Sequence, residues 1–140
     1  MKPISILLVD ENPIFLDIIS RFFRDDFSNK IILVGKATTY AEAEELAERL
    51  RPEVILVDHG LPGQKGLACV AALRRLVPEV AIVVLTLLDK PDYRKSALDA
   101  GADEFLQKDN VCQDLLPAIQ RAITARAPRK TESNSINGEF

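Results

Sequence analysis

Five short apolar runs, none of them alternating with polar residues, constrain this chain more than any other feature. They are Ile6-Leu7-Leu8-Val9, Ile31-Ile32-Leu33-Val34, Val54-Ile55-Leu56-Val57, Ala81-Ile82-Val83-Val84-Leu85 and the shorter Phe105-Leu106. Continuous runs rich in β-branched residues are expected of strands covered on both faces. The stretches between them have helical period. Asn12 and Pro13 stand at the N-cap and first position of a helix carrying Ile14, Phe15, Ile18, Ile19, Phe22 and Phe23 on its apolar side. Thr39-x-x-Glu42 is a capping box ahead of Ala43, Leu46, Ala47 and Leu50, with Pro52 as the stop. A third helix is expected over residues 66–77, closed by Pro78. A fourth should open with Asp89 as cap and end at Gly101, and a fifth should start near Asp114 so that Pro117, which lacks an N–H, falls in its first turn.

Five βα alternations with short connections predict a parallel sheet with helices on both faces. A chain of 140 residues is one domain on the usual scale of about 100–200 residues. Residues 128–140 change to a polar, aperiodic composition, so the folded domain is expected to cover residues 1–127, with a tail or linker after it. The net charge of −3, without a basic stripe, gives this chain no expected nucleic-acid contact of its own. No apolar run approaches the roughly 18–20 residues of a membrane span, and the N-terminus lacks the pattern of a secretory signal, so a cytoplasmic location is expected. Cys69 and Cys112 are expected to be buried or half-buried free thiols, since one His and no second Cys pair leave no zinc set or disulfide framework.

The polar residues at the strand ends carry the chemistry. Asp10 and Glu11 follow the first run, Asp58 the third, Thr86 the fourth, and Lys108 stands two residues beyond the last. In an open parallel sheet these lie along the carboxyl edge, where such folds bind ligands. If the first, third and fourth strands are adjacent, at about 4.8 Å spacing, the three acids and Thr86 share one pocket. Carboxylates that close require a compensating cation. An oxygen-only donor set suits a hard, partly hydrated ion, which means Mg²⁺ before zinc or copper, and Lys108 supplies a second positive charge.

The arrangement resembles the receiver domain of bacterial two-component response regulators over residues 4 to about 126. The resemblance rests on Leu8-Val9-Asp10-Glu11, on Asp58-His59-Gly60-Leu61-Pro62-Gly63 with Gly66, on Leu85-Thr86, and on the segment from Gly101 through Phe105 to Lys108. It implies a CheY-like, flavodoxin-like (βα)5 fold with strand order 2-1-3-4-5. It also implies that Asp58 accepts a phosphoryl group from a sensor histidine kinase. Glu11 would ligate Mg²⁺ directly and Asp10 through water, with Asp58 and the Gly60 carbonyl completing the protein's share. Lys108 would pair with Asp58 and then with the phosphoryl oxygens, the Thr86 hydroxyl would bond the phosphoryl group, and Phe105 holds the place of the switch aromatic. The signal would leave through the fourth helix, fifth strand and fifth helix, by homodimerisation or docking of a partner. Asp109, where many members carry Pro, resembles the subgroup fused to helix-turn-helix output domains and used in transcription regulation.

Other readings compete with this one. Asp10 and Glu11 as helix-capping acids are redundant with Asn12, and His59 reads as an exposed loop residue rather than a proton carrier. A non-phosphorylated pseudo-receiver would keep the fold as an interaction module, but such chains typically lose the acids or the lysine. A flavin-binding relative needs a phosphate loop where Asp10-Glu11 would repel phosphate, and a haloacid-dehalogenase-type phosphatase needs an acid where Gly60 stands. The chain is therefore read as a regulatory phosphoacceptor that catalyses only its own phosphorylation and dephosphorylation. One departure stands out: Leu87 occupies a position, next to Thr86, that is usually small. With Gly60 and Leu88 offering no polar group to position water, it predicts slow loading by small donors and a long-lived phosphoryl state.

Overall fold

The computed structural model describes residues 2–60, 65–87 and 90–126. Five strands form one parallel sheet: β1 (Ile4–Val9), β2 (Ile31–Ala37), β3 (Val54–Asp58), β4 (Ala81–Thr86) and β5 (Glu104–Gln107). Their order is β2-β1-β3-β4-β5, as the resemblance implies. The helices are α1 (Pro13–Asp26), α2 (Tyr40–Leu50), α3 (Lys65–Leu76), α4 (Pro91–Ala100) and α5 (Val111–Arg126), with a 3-10 turn at Lys108–Asn110.

Strand alternation divides the core into two layers. Leu7, Val9, Ile55, Val57, Ile82, Val84 and Phe105 face α2, α3 and α4, where they meet Ala43, Ala47, Cys69, Val70, Leu73 and Ala97. Ile6, Leu8, Val54, Leu56, Val83, Leu85 and Leu106 face α1 and α5, against Leu16, Ile19, Phe23, Leu115 and Ile119. The apolar runs of β1, β3 and β4 are thus continuous because both faces are covered. The same reading is wrong for β2, which lies at the sheet edge and leaves Ile32 half exposed.

The first helix is capped as expected: the Asn12 side chain accepts the N–H groups of Ile14 and Phe15, at 2.9 and 3.4 Å. Its expected apolar side, however, is too wide. Leu16, Ile19 and Phe23 are buried, whereas Ile14 and Ile18 lie on the solvent side. The capping box of α2 holds, with Thr39 Oγ1 accepting the Glu42 N–H, but the Glu42 carboxylate reaches one residue further back, to the N–H and hydroxyl of Thr38. These bonds lower the Glu42 pKa.

Helix α5 begins at Val111, not near Asp114, so Pro117 sits inside it. Proline there costs the bond to the Gln113 carbonyl. Pro117 and Gln113 are both exposed, so water can satisfy that carbonyl. The N-cap of α4 is Lys90, without a side-chain bond, and Asp89, expected in that place, lies outside the described residues. Gly101 closes α4 with φ +121°, a conformation that disfavours side chains. Of the thiols, Cys69 is buried and burial pushes its pKa up to about 12. Cys112 is exposed, against expectation, because the earlier start of α5 turns it outward. The expected tail, residues 128–140, and the segment Leu61-Pro62-Gly63 lie outside the described residues, as does Leu88.

Candidate functional site

Register aligns the strand ends. Val9 pairs with Val57, Asp58 with Leu85, and Thr86 with Gln107. Asp10 and Asp58 are therefore level, with Thr86 one rung and Lys108 two rungs beyond them, along the carboxyl edge of four adjacent strands. They line a pocket of about 490 Å³ together with Glu11, Asn12, His59, Gly60, Leu87 and Tyr93.

The floor of that pocket is charged and buried. Asp10, Asp58 and Thr86 are the buried polar residues of the described chain. Lys108 Nζ lies 2.6 Å from Asp10 Oδ2 and 3.2 Å from Asp58 Oδ1, and its side chain is 8% exposed. Each carboxylate also has a backbone donor. The Asn12 N–H reaches Asp10 Oδ1 at 2.9 Å, and the Gly60 N–H reaches Asp58 Oδ1 at 3.1 Å. The His59 N–H donates to the Leu85 carbonyl at 2.7 Å, tying the backbone after Asp58 to β4. Burial raises the Asp10 pKa despite the hydrogen bonds from Lys108 and Asn12, and the Asp58 charge adds to that rise. Two carboxylates share one lysine here, and the deficit of positive charge is physical.

Among the described residues no three His, Cys, Asp or Glu side chains form a ready metal cage. Asp10 and Asp58 are on the floor and Glu11 is exposed on the rim. Such a set of oxygens, open on one side and short of positive charge, fits a hard cation that keeps several waters, and does not fit a caged transition metal.

Three contacts around the pocket escape sequence reasoning. The shorter contact of Lys108 is with Asp10, not with Asp58. The ring of Phe15 packs against the Lys108 ammonium, with its centroid 4.3 Å from Nζ. His59, expected to be exposed, is half buried, because its ring stacks on Tyr93 at 4.6 Å and meets Phe105 edge-on at 6.5 Å. Phe105 itself is buried in the α2–α4 layer under the Arg94 guanidinium. Leu87 is at the pocket mouth and 67% exposed.

Residues 6–120 match the response regulator receiver domain family. The chain belongs to that family. Among relatives of this receiver domain, the nitrate/nitrite response regulator protein NarL of Escherichia coli K12 is 34% identical over 121 residues, or 86% of this chain and 55% of that protein. The chain thus spans about half the length of this curated relative. Among solved structures, the signal receiver domain of the putative response regulator NarL from Mycobacterium tuberculosis superposes with a TM-score of 0.77 at 27% identity, covering 89% of this chain and 98% of that one. A response regulator from Burkholderia pseudomallei, solved with a phosphorylated aspartic acid and a calcium ion, gives 0.75 at 27% identity, over 96% of this chain and 75% of that one. The fold is the CheY-like, flavodoxin-like receiver fold, and the chain is a regulatory domain of the two-component type. Among the described residues no helix is long and apolar enough to cross a membrane.

Proposed function

We propose that Asp58 is the phosphoacceptor of a signalling switch, loaded by a sensor histidine kinase in the cytoplasm. The observation that carries this reading is the Lys108 ammonium bridging Asp10 and Asp58 on the buried floor of the carboxyl-edge pocket. An Asp58 carboxylate oxygen attacks the phosphorus of a phosphohistidine. The new P–O bond forms as the P–N bond breaks, and the imidazole leaves with the electron pair and takes up a proton. Transfer of this kind depends on neutralising charge on the transferring oxygens. Lys108 already lies against Asp58 and shifts toward those oxygens as the carboxylate charge is shared with phosphorus.

Glu11, Asp10, Asp58 and the Gly60 carbonyl would hold Mg²⁺, which supplies further charge neutralisation when bound. The Burkholderia protein, which carries a calcium ion as well as a phosphorylated aspartic acid, supports a divalent-cation site in this family. The Thr86 hydroxyl bonds the transferred phosphoryl group, and Phe105, in the layer below α4, follows it. The changed face of α4, β5 and α5 then forms a homodimer or meets an output domain or partner. The receiver domain covers residues 1–127, and the NarL relatives support a role as the regulatory half of a transcription regulator.

Incubating the chain with acetyl phosphate and Mg²⁺ should add one phosphate. Asp58→Asn or EDTA should abolish the gain. Labelling that persists in Asp58→Asn, or that ignores EDTA, refutes the assignment and leaves a protein-binding module without phosphorylation.

A further inference from the structure

Of the three groups packed on the Lys108 ammonium, Asp10 and Asp58 have a place in the chemistry above and the ring of Phe15 does not. Taking Asp58 as the phosphoacceptor, we propose that Phe15 is a positioning residue for phosphoryl transfer, its ring face holding the Lys108 ammonium beside Asp58. A lysine head is a point charge on a flexible four-carbon stem, and nothing in the stem fixes where it stops. Here Asp10 pulls harder than Asp58, at 2.6 against 3.2 Å. The Phe15 face, centroid at 4.3 Å, is a third attraction on the ammonium besides the two carboxylates, so its position does not rest on Asp10 alone. Cation–π attraction is largest for a desolvated cation, and the Lys108 side chain is 8% exposed.

The ring is placed by the same residue that orients Asp10. The Asn12 side chain accepts the Phe15 N–H at the start of α1, while the Asn12 N–H donates to Asp10 Oδ1. Phe15 also packs on the α1–α5 layer, so it does not follow the lysine. A ring face suits this task better than the alternatives. An aliphatic side chain would fill the space without attracting the cation, and a third carboxylate would add negative charge to a site already short of cations. A π face presents no single acceptor atom, so the ammonium can slide from Asp10 toward the transferred oxygens without first breaking a hydrogen bond on that side.

The test uses Phe15→Leu, Phe15→Tyr and a series with fluorinated phenylalanine at residue 15, which weakens the ring quadrupole at nearly constant size. In the unloaded protein the Lys108 ε-methylene protons should show an upfield ring-current displacement that Phe15→Leu removes. Loading by acetyl phosphate should be about fivefold slower in Phe15→Leu, close to 1 kcal/mol at 1.36 kcal/mol per tenfold. It should fall stepwise with fluorination and return to within about twofold of the parent in Phe15→Tyr, whose ring keeps its π face. Random-coil positions for the Lys108 protons in the parent, a flat fluorination series, or parental loading in Phe15→Leu would each overturn the positioning role while Asp58 still loads. A parent that takes no phosphate at all removes the Asp58 reading itself, and this proposal with it.

Discussion

Gly66 is the second residue of α3, and the case of Gly66→Ala sets two effects of opposite sign against each other. In an open helix the change would stabilise by about 1 kcal/mol through helix propensity. Here the new Cβ would lie 2.6 Å from the Asp58 carbonyl oxygen and 2.7 Å from that of His59, where real Cβ atoms stay beyond 3.0 Å. Neither oxygen belongs to a flexible side chain. Asp58 is in β3, and the His59 N–H is bonded to Leu85 at 2.7 Å, so backbone must move by about 0.4 Å or α3 must lift. Overpacking of this kind costs roughly 1–3 kcal/mol, so the expected net is a loss of about 1 kcal/mol. The larger effect falls on function. A misplacement of about 1 Å in a reacting group costs on the order of 10²-fold, so a shift of a few tenths of an ångström should slow loading of Asp58 about fivefold. Urea unfolding followed by circular dichroism reads the first quantity, and phosphate incorporation from acetyl phosphate reads the second. Gly60→Ala is the control, because its Cβ would stand 3.6 Å from Asp58 Oδ1, an ordinary contact, and stability should hold. A Gly66→Ala protein as stable as the parent and loaded at the same rate would refute the steric reasoning.

Leu87→Ala should speed loading by small donors a few-fold without changing Mg²⁺ affinity, because Leu87 stands at the pocket mouth and touches no carboxylate chemistry; an unchanged loading rate would show that Leu87 does not gate the site. Glu42→Gln should flatten the acid limb of stability against pH. The Glu42 pKa is lowered in the fold, so its contribution is present above the ordinary carboxylate value and lost as pH falls through the lowered one, and parallel parent and variant curves between about pH 3 and 7 would contradict this. Arg74→Met should destabilise by about 3 kcal/mol in urea. It strips the carbonyls of Gly101 and Val80 of their guanidinium donor and leaves the Asp103 carboxylate, whose side chain is 4% exposed, with the more exposed Arg126 as its cation; a loss below about 1 kcal/mol would show that Arg126 and water suffice.

What the sequence displays plainly is what periodicity and punctuation encode. The apolar runs of β1, β3 and β4 reveal central strands because burial on two faces leaves no place for polar residues, and the acids and Thr86 at their ends mark the edge that carries the candidate site. The same signal misreads β2, since an edge strand can carry Ile32 half exposed, and position in the sheet is a tertiary property. Proline misleads in α5 for a related reason. Pro117 is disfavoured in any helix interior, but it costs less where the freed carbonyl is exposed, and that depends on which side of the helix faces water. The candidate site divides in the same way. Which residues reach the pocket follows from strand ends and register, but which carboxylate takes the shorter lysine contact, and that Phe15 and His59 join it, depends on side-chain packing that spacing does not record.

The two aromatic contacts explain why a charge event at one edge can reach both layers of the protein. Strand alternation sends Phe105 toward α4 and Leu106 toward α5, so the end of β5 touches both cores within two residues. On the α4 side, His59 follows Asp58 directly and links it to Tyr93 by stacking and to Phe105 edge-on. On the other side, Lys108 links Asp58 to Phe15 in the first turn of α1. On the proposed function, a phosphoryl group on Asp58 would add charge and bulk between these links. The stack would answer by sliding or rotating its rings, and the ammonium by moving across the Phe15 face while α1 stays capped by Asn12. On that reading the α1 side would keep its place while the lysine moves, and the α4 side would change its packing. That asymmetry is what a switch requires if the same pocket is to receive a phosphoryl group on a fixed frame and report it on a movable one.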